Sequence, residues 1–512
     1  MNRIIKIPVV FALGLGLTLA LLWLLGIVTS SPTARAADLS HHAAAPGDVY
    51  CVTPESGSYV GCTQVFTNVQ AAVDAASGGE TIKVATGVYT DISAREGITQ
   101  VVYLSKTVTI QGGYTTTNWT MPFPITQPTT LDAQGQGRVV YIAGNISPTI
   151  EGLRITNGNA RGLPGGYPVG WGGGGVYLEH GNARFSANTI VSNTAGMGGG
   201  VYLYYGTATL NNNAVLSNTA DCCGGGLLSW YSIITVSGNI IRDNTSGSAE
   251  EGGGVAVVHG EATLTGNVIS DNTSEDSCGG VYLGSDDATI NGNIILSNAA
   301  EYYGGGICLV GHSTVSDNII SGNVVSRSNG IAVGGGVFIG GCCAAQVELV
   351  NNVITDNRIN SPDGDGSGVW IASYSNVHLV HTTIARNTGG DGSGIWESGS
   401  TVALTNTVIV SQTVGITATS DSNAALNGVL WFDNGANTGG PGTIAVTHEI
   451  TGDPAFAPDG YHLTAGSAAI DQGVDAGVTT DIDGEHRPQG PAPDLGADEI
   501  SLSYIYLPLV LR

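Results

Sequence analysis

Between Gly173 and Ile395 a glycine-rich block closing on an aliphatic residue returns nine times, and a block bounded by two asparagines follows nearly every copy. The closing residues are Val176, Val201, Leu227, Val255, Val281, Ile307, Val337, Val369 and Ile395. The steps between them are 25, 26, 28, 26, 26, 30, 32 and 26 residues. A sustained period of that size is the mark of a repeat architecture. Two residues past each closing aliphatic stand Leu178, Leu203, Ser229, Val257, Leu283, Leu309, Ile339, Ile371 and Glu397, and seven of these nine are aliphatic. The alternation has period two, so each block is a short strand with one buried face. The preceding glycines permit the positive φ and close backbone approach of a sharp corner.

Two further elements follow in each unit. One is a second short strand, as in Ala183-Arg184-Phe185, Ala208-Thr209-Leu210 and Ala262-Thr263-Leu264. The other is the paired-asparagine block, from Asn188 to Asn193, Asn213 to Asn218 and Asn239 to Asn244, continuing at Asn267, Asn293, Asn318 and Asn352. Short strands separated by corners within one period predict one coil of a solenoid. Stacking places equivalent residues ~4.8 Å apart. Asparagine tolerates left-handed corners, and stacked amides can bond one another as a ladder. The periodic segments are too short, too β-branched and too interrupted by glycine for a helical repeat.

The chain resembles the right-handed parallel β-helix, or pectate-lyase-like, superfamily. Phe66 to Ala75, then Gly79 to Val84 and Gly87-Val88-Tyr89, resemble its N-terminal cap, with Val69, Ala72, Val73 and Ala76 on one helical face to close the core. The run Asn193-Thr-Ala-Gly-Met-Gly-Gly-Gly200 also resembles the polymorphic outer-membrane protein repeat. The late segments Asp453-Pro-Ala-Phe456, Tyr461-His462-Leu463, Ser467 to Gly473, Asp481-Ile-Asp-Gly484, Arg487-Pro488 and Asp494 to Glu499 resemble the choice-of-anchor Q domain that ends many secreted bacterial β-helices. The expected fold is all-β, a right-handed parallel β-helix of about a dozen coils with an N-terminal capping helix. The expected layout is a signal peptide over 1–36, a cap region over 37–80, the solenoid over 81–450, the anchor-like region over 451–500 and a tail over 501–512.

The signal is read from a basic lead, the apolar run Ile7 to Val28 and the small-x-small sequence Ala34-Arg35-Ala36. An uncleaved membrane anchor is the competing reading, because the run is long for a signal. The formal charge is −25, and cleavage removes three basic residues and no acidic ones, leaving the mature chain near −28. Such a surface repels nucleic acid and anionic membranes. The expectation is a monomeric protein, secreted or held at a cell surface, with no membrane contact after cleavage. Among eight cysteines, Cys51 and Cys62 have a spacing that suits a local bridge. Cys222-Cys223 and Cys342-Cys343 are adjacent pairs, and spacing leaves the partners of Cys278 and Cys308 open.

Between the two aliphatics of each first strand the side chain points away from the core. Those positions and the next outward ones hold Tyr177, Tyr202, Tyr204, Trp230, Tyr282, Phe338, Trp370 and Trp396. An aromatic stripe on a sheet suits the apolar faces of sugar rings, so the expected ligand is a polysaccharide or cell-surface glycan. The same rings would also serve simply as ladder packing. A polysaccharide lyase or glycoside hydrolase is the alternative. A glycosidase needs two facing carboxylates, and the first-strand face offers Glu179 and little else. His180, His259 and His312 read as surface histidines. Acidic corners at Asp221, Glu250, Glu251, Glu275, Asp276 and Glu301 make calcium the candidate cofactor, against the reading of a solvated column of turns.

Overall fold

The structure is a computed structural model that describes residues 47–501 apart from 96, 166–169, 248–251, 286, 328–329, 342–343 and 373. The expected signal segment, Glu250, Glu251, Cys342-Cys343 and nearly all of the tail lie outside the described residues. Within them, no helix is long and apolar enough to cross a membrane.

The chain coils. First strands such as Val176–Glu179 and Val201–Tyr204 pair in parallel with their counterparts one turn away, Val176 against Val201 and Leu178 against Leu203. Second strands do the same, with Asn182–Ser186 against Thr207–Asn211. Third strands follow suit, with Thr189–Val191 against Ala214–Leu216. In two coils the first and second strands run through the corner unbroken, as Leu227–Ser237 and Val255–Thr265. Such joins knit the three faces into one 39-stranded assembly. A fourth, two-residue strand per coil, Thr194–Ala195 and its successors, forms a separate 8-stranded ribbon that the sequence pattern did not separate from the glycine corner.

Inward residues of all three faces fill one core from Tyr50 to Trp431, including Val176, Leu178, Phe185 and Ile190. The expected cap is the helix Val69–Ala75, N-capped by Asn68, whose side chain accepts from the Ala71 N–H at 2.7 Å. Val69, Ala72, Val73 and Ala76 all lie within that core.

The two asparagine positions become two buried columns. At Asn272 the side chain donates to Asn298 Oδ1 and to the Ile241 carbonyl, each at 2.9 Å, and accepts from the Asn244 backbone and side-chain amides. The column runs from Asn193 to Asn387 in this pattern. The other runs from Asn188 to Asn352, after which Thr382 takes its place, donating to the Leu349 carbonyl at 3.4 Å. Disulfides join Cys51 to Cys62, Cys222 to its neighbour Cys223, and Cys278 to Cys308.

Candidate functional site

The aromatic stripe points away from the core, as its phase requires, but two of its eight rings are closed off from solvent. Tyr177 and Tyr202 are 0% exposed, which corrects the expectation that they meet a ligand. The chain between the fourth strand and the next first strand folds back over them. A Cβ on Gly172 would collide with the Tyr202 ring, so glycine is required where the backbone crosses it. The Arg138 guanidinium lies 5.0 Å from the Tyr177 ring centre while its Nε donates to the Gly172 carbonyl at 2.8 Å. The stripe thus forms a second apolar cluster with Met197, Cys223, Leu228 and Ala256, against which Tyr204, Trp230 and Tyr282 are half-buried. Phe338 and Trp370 stack at 5.0 Å, and both, like Trp396, are half-buried. The packing reading describes Tyr177 and Tyr202; the remaining rings keep part of their surface.

Exposed aromatics occur one corner further on. His180, Tyr205, Tyr231 and His259 occupy the turn from first to second strand in four successive coils, with φ of 58°, 49°, 49° and 56°. Their rings stack, His180 on Tyr205 at 5.7 Å, Tyr205 on Tyr231 at 5.1 Å and Tyr231 on His259 at 4.6 Å. Tyr205 is 48% and Tyr231 42% exposed. Left-handed backbone is costly for bulky side chains, whereas glycine or asparagine takes it readily. Left-handed φ nonetheless recurs at other corners, at Ala187, Ser217, Asp243 and Arg386 among them, so it is the geometry by which this chain turns. Because the rings cover one another's faces, they offer solvent their edges, hydroxyls and ring nitrogens.

This column borders the outer face of the second sheet. Register pairs Asn182 with Thr207, Thr207 with Ile233, Ile233 with Glu261, Glu261 with Asp287, Asp287 with His312, His312 with Gln346 and Gln346 with Asn376. A parallel column holds Thr263, Thr289, Thr314, Glu348 and His378. Their inward neighbours Ala262, Ala288, Val347 and Val377 are buried, which fixes the polar residues outward. Glu261 through His378 line an open groove of about 660 Å³. A second depression of about 450 Å³ continues the same face beneath His180, Tyr205 and Tyr231. Sequence reasoning missed this surface because it sought chemistry on the first strands. The signal available was the alternation of the second strand, in which the residues on either side of the buried Ala262 and Ala288 are polar.

Of the acidic corners expected to hold calcium, the described ones, Asp221, Glu275, Asp276 and Glu301, are not gathered into a site. Asp221 is paired to Arg161, whose Nε donates to it at 2.9 Å. Glu275 is exposed, and Asp276 accepts from the Ser277 hydroxyl at 2.7 Å. Glu301 is half-buried. Converging metal-ligating atoms among the described residues occur elsewhere, at His462, Asp483 and Asp498.

A family model described as a right handed beta helix region matches residues 132–272 and 174–339. The chain has the right-handed parallel β-helix fold. No curated protein matches it in sequence. The crystal structure of pectate lyase Pel9A is similar to this β-helix over 89% of the chain and 97% of its own, at 14% identity and a TM-score of 0.35. So loose a superposition says nothing about this β-helix's chemistry.

Proposed function

We propose that this β-helix binds an extended, neutral or basic glycan along the outer face of its second sheet. The observation that carries the reading is the open groove built in register from Glu261, Asp287, His312, Gln346 and Asn376, with threonines and His378 beside them. Its residues are short, hydroxylated or hydrogen-bonding, and they repeat along the coil axis at ~4.8 Å. A polysaccharide likewise presents hydroxyl groups repeatedly along one axis. The exposed Tyr205 and Tyr231 column extends the same face with further hydroxyls. The net acidity disfavours an anionic polymer. On the same reading the chain works as a secreted or surface-held binding module, its final segment serving attachment.

The test is affinity electrophoresis in gels carrying neutral, basic and acidic polysaccharides. A neutral or basic polymer should retard the wild-type chain. The double variant Asp287→Ala, Asn376→Ala should lose at least tenfold in affinity, and Tyr205→Ala should weaken it several-fold. Trp396→Ala should change little. Retardation that survives the groove variants and disappears with Trp370→Ala and Trp396→Ala would move the ligand back to the first sheet. Glu261 and Asp287 are also adjacent carboxylates with His312 on the next coil. That adjacency favours, as a second reading, hydrolysis or elimination on the bound polymer. New reducing ends or unsaturated products would establish it, and Glu261→Gln should then abolish them.

A further inference from the structure

The segment after the last coil contains a cluster unrelated to the groove. His462 lies in Tyr461-His462-Leu463, Asp483 in Asp481-Ile-Asp-Gly484, and Asp498 just ahead of Glu499. One donor atom from each lies within 4.8 Å of the others. The His462 Nε2 faces Asp483 Oδ2 at 2.5 Å, while its Nδ1 is held by Asp459 Oδ2 at 2.7 Å. Asp498 is 7% exposed, and one of its oxygens accepts from the Leu463 N–H at 2.6 Å. Asp459 itself is fixed by the backbone N–H groups of Tyr461 and His462.

This set differs from a patch of surface acids in three ways. It contains an imidazole, whose nitrogen is a ligand that a solvated acidic turn does not offer. The second ring nitrogen is claimed by a carboxylate outside the set, and such an outer partner is how proteins fix the ring and tautomer of a ligating histidine. One of the two ligating carboxylates is nearly buried, a position normally tolerated for a charge only when it is paired or bound to metal.

We propose that His462, Asp483 and Asp498 bind a single divalent transition-metal ion of the zinc type, with Asp459 as positioning residue on the far ring nitrogen. The ion takes the place of the proton on Nε2. The metal–nitrogen bond forms, the N–H bond breaks, and one proton leaves to solvent. One nitrogen and two carboxylate oxygens suit zinc, whereas calcium asks for six to eight oxygens. Ligand distances of about 2.0–2.2 Å require Asp483 to swing off the ring nitrogen, a side-chain rotation. The ion would tie together three loops of this segment that otherwise meet through hydrogen bonds.

The test uses the full chain, stripped with chelator and titrated by calorimetry with zinc chloride and, separately, calcium chloride. One zinc per chain should bind, with a proton released, and calcium should bind at least a hundredfold more weakly. His462→Gln and Asp483→Asn should each weaken the zinc isotherm at least tenfold. Asp459→Asn should weaken it less. Asp483 is exposed, so its replacement leaves the fold intact and carries the test even if His462→Gln melts early. Absence of zinc uptake, undiminished uptake in Asp483→Asn, or a site that takes calcium and refuses zinc overturns the proposal.

Discussion

Glu397 stands at an inward position where the other blocks mostly carry an aliphatic side chain, and it is 0% exposed. Its Oε1 accepts from the Asn423 N–H at 3.2 Å, and its Oε2 has no hydrogen-bond partner among the described residues. Burial pushes its carboxyl up to about 7, against the smaller opposing effect of the Asn423 bond. Since the folded value exceeds the unfolded value of 4.5, the folded state favours the protonated acid. The stability contributed by that proton is complete below about pH 4.5, falls as pH rises, and is gone once pH passes about 7. Glu397→Gln keeps the size and removes the titration. Melting followed from pH 4 to pH 8 should show the wild type losing stability relative to Glu397→Gln, by ~3 kcal/mol at full effect. Parallel profiles would mean that water reaches the carboxylate. Glu80 shows the opposite sign: burial pushes it up, but hydrogen bonds from Ser77 and Gly78 override this and hold it at about 2. A residue's phase was legible for Glu397, but its burial at the end of Ser393–Glu397 was not, because a polar residue in a strand pattern looks like the strand's end.

At the scale of the element, the asparagine columns and the outward columns differ in how far the sequence reveals them. The asparagines recur as identical residues, because every coil meets the same need, satisfying a buried corner's backbone groups. Asn272→Ala removes the acceptor for two Asn244 donors, as well as the donor to Asn298 and Ile241. Each orphaned group costs roughly 1–3 kcal/mol. The variant should lose at least ~3 kcal/mol in denaturant unfolding, while Asn376→Ala, on the exposed face, should stay within ~0.5 kcal/mol. Equal small losses would show that water satisfies the corner. The groove residues, by contrast, change identity from Glu261 to Asp287 to His312, and only register aligns them. Register depends on how many residues each loop absorbs, which the uneven steps of the repeat conceal. Cys278 and Cys308 are one coil apart for the same reason, so their disulfide could be found only once the coil was closed. The first-sheet aromatics were legible as outward-facing, yet their cover comes from corners whose path glycine leaves unspecified.

At the scale of the molecule, the chain runs out along its coils and then returns. After the last strand, Thr443–Thr451, the remaining described segment lies against the outer face of the third sheet. Leu463, Ala469 and Leu495 pack there on Ala385, Val408, Val410 and Leu430. Asn351 Nδ2 donates to the Thr480 carbonyl at 2.9 Å, Ala497 N–H to Thr383 Oγ1 at 3.0 Å, and Val474 N–H to Asn406 Oδ1 at 2.8 Å. None of these long-range pairs has a sequence periodicity, so the repeat pattern does not show where the segment lies. Its internal brace is Arg487, whose Nη1 meets Glu499 Oε2 at 2.9 Å with side chains 0% and 1% exposed. Removing one member of a buried pair strands the other charge, at a cost of roughly 3–5 kcal/mol. In a solenoid each coil contacts its neighbours alone, so that loss should stay local. Arg487→Met should therefore expose residues beyond Thr451 to limited proteolysis and rapid amide exchange, while amides between Val176 and Ile371 keep their wild-type protection. Loss of protection throughout the coils would show that the returning segment is an integral part of the solenoid's cooperative unit rather than a layer added to its surface.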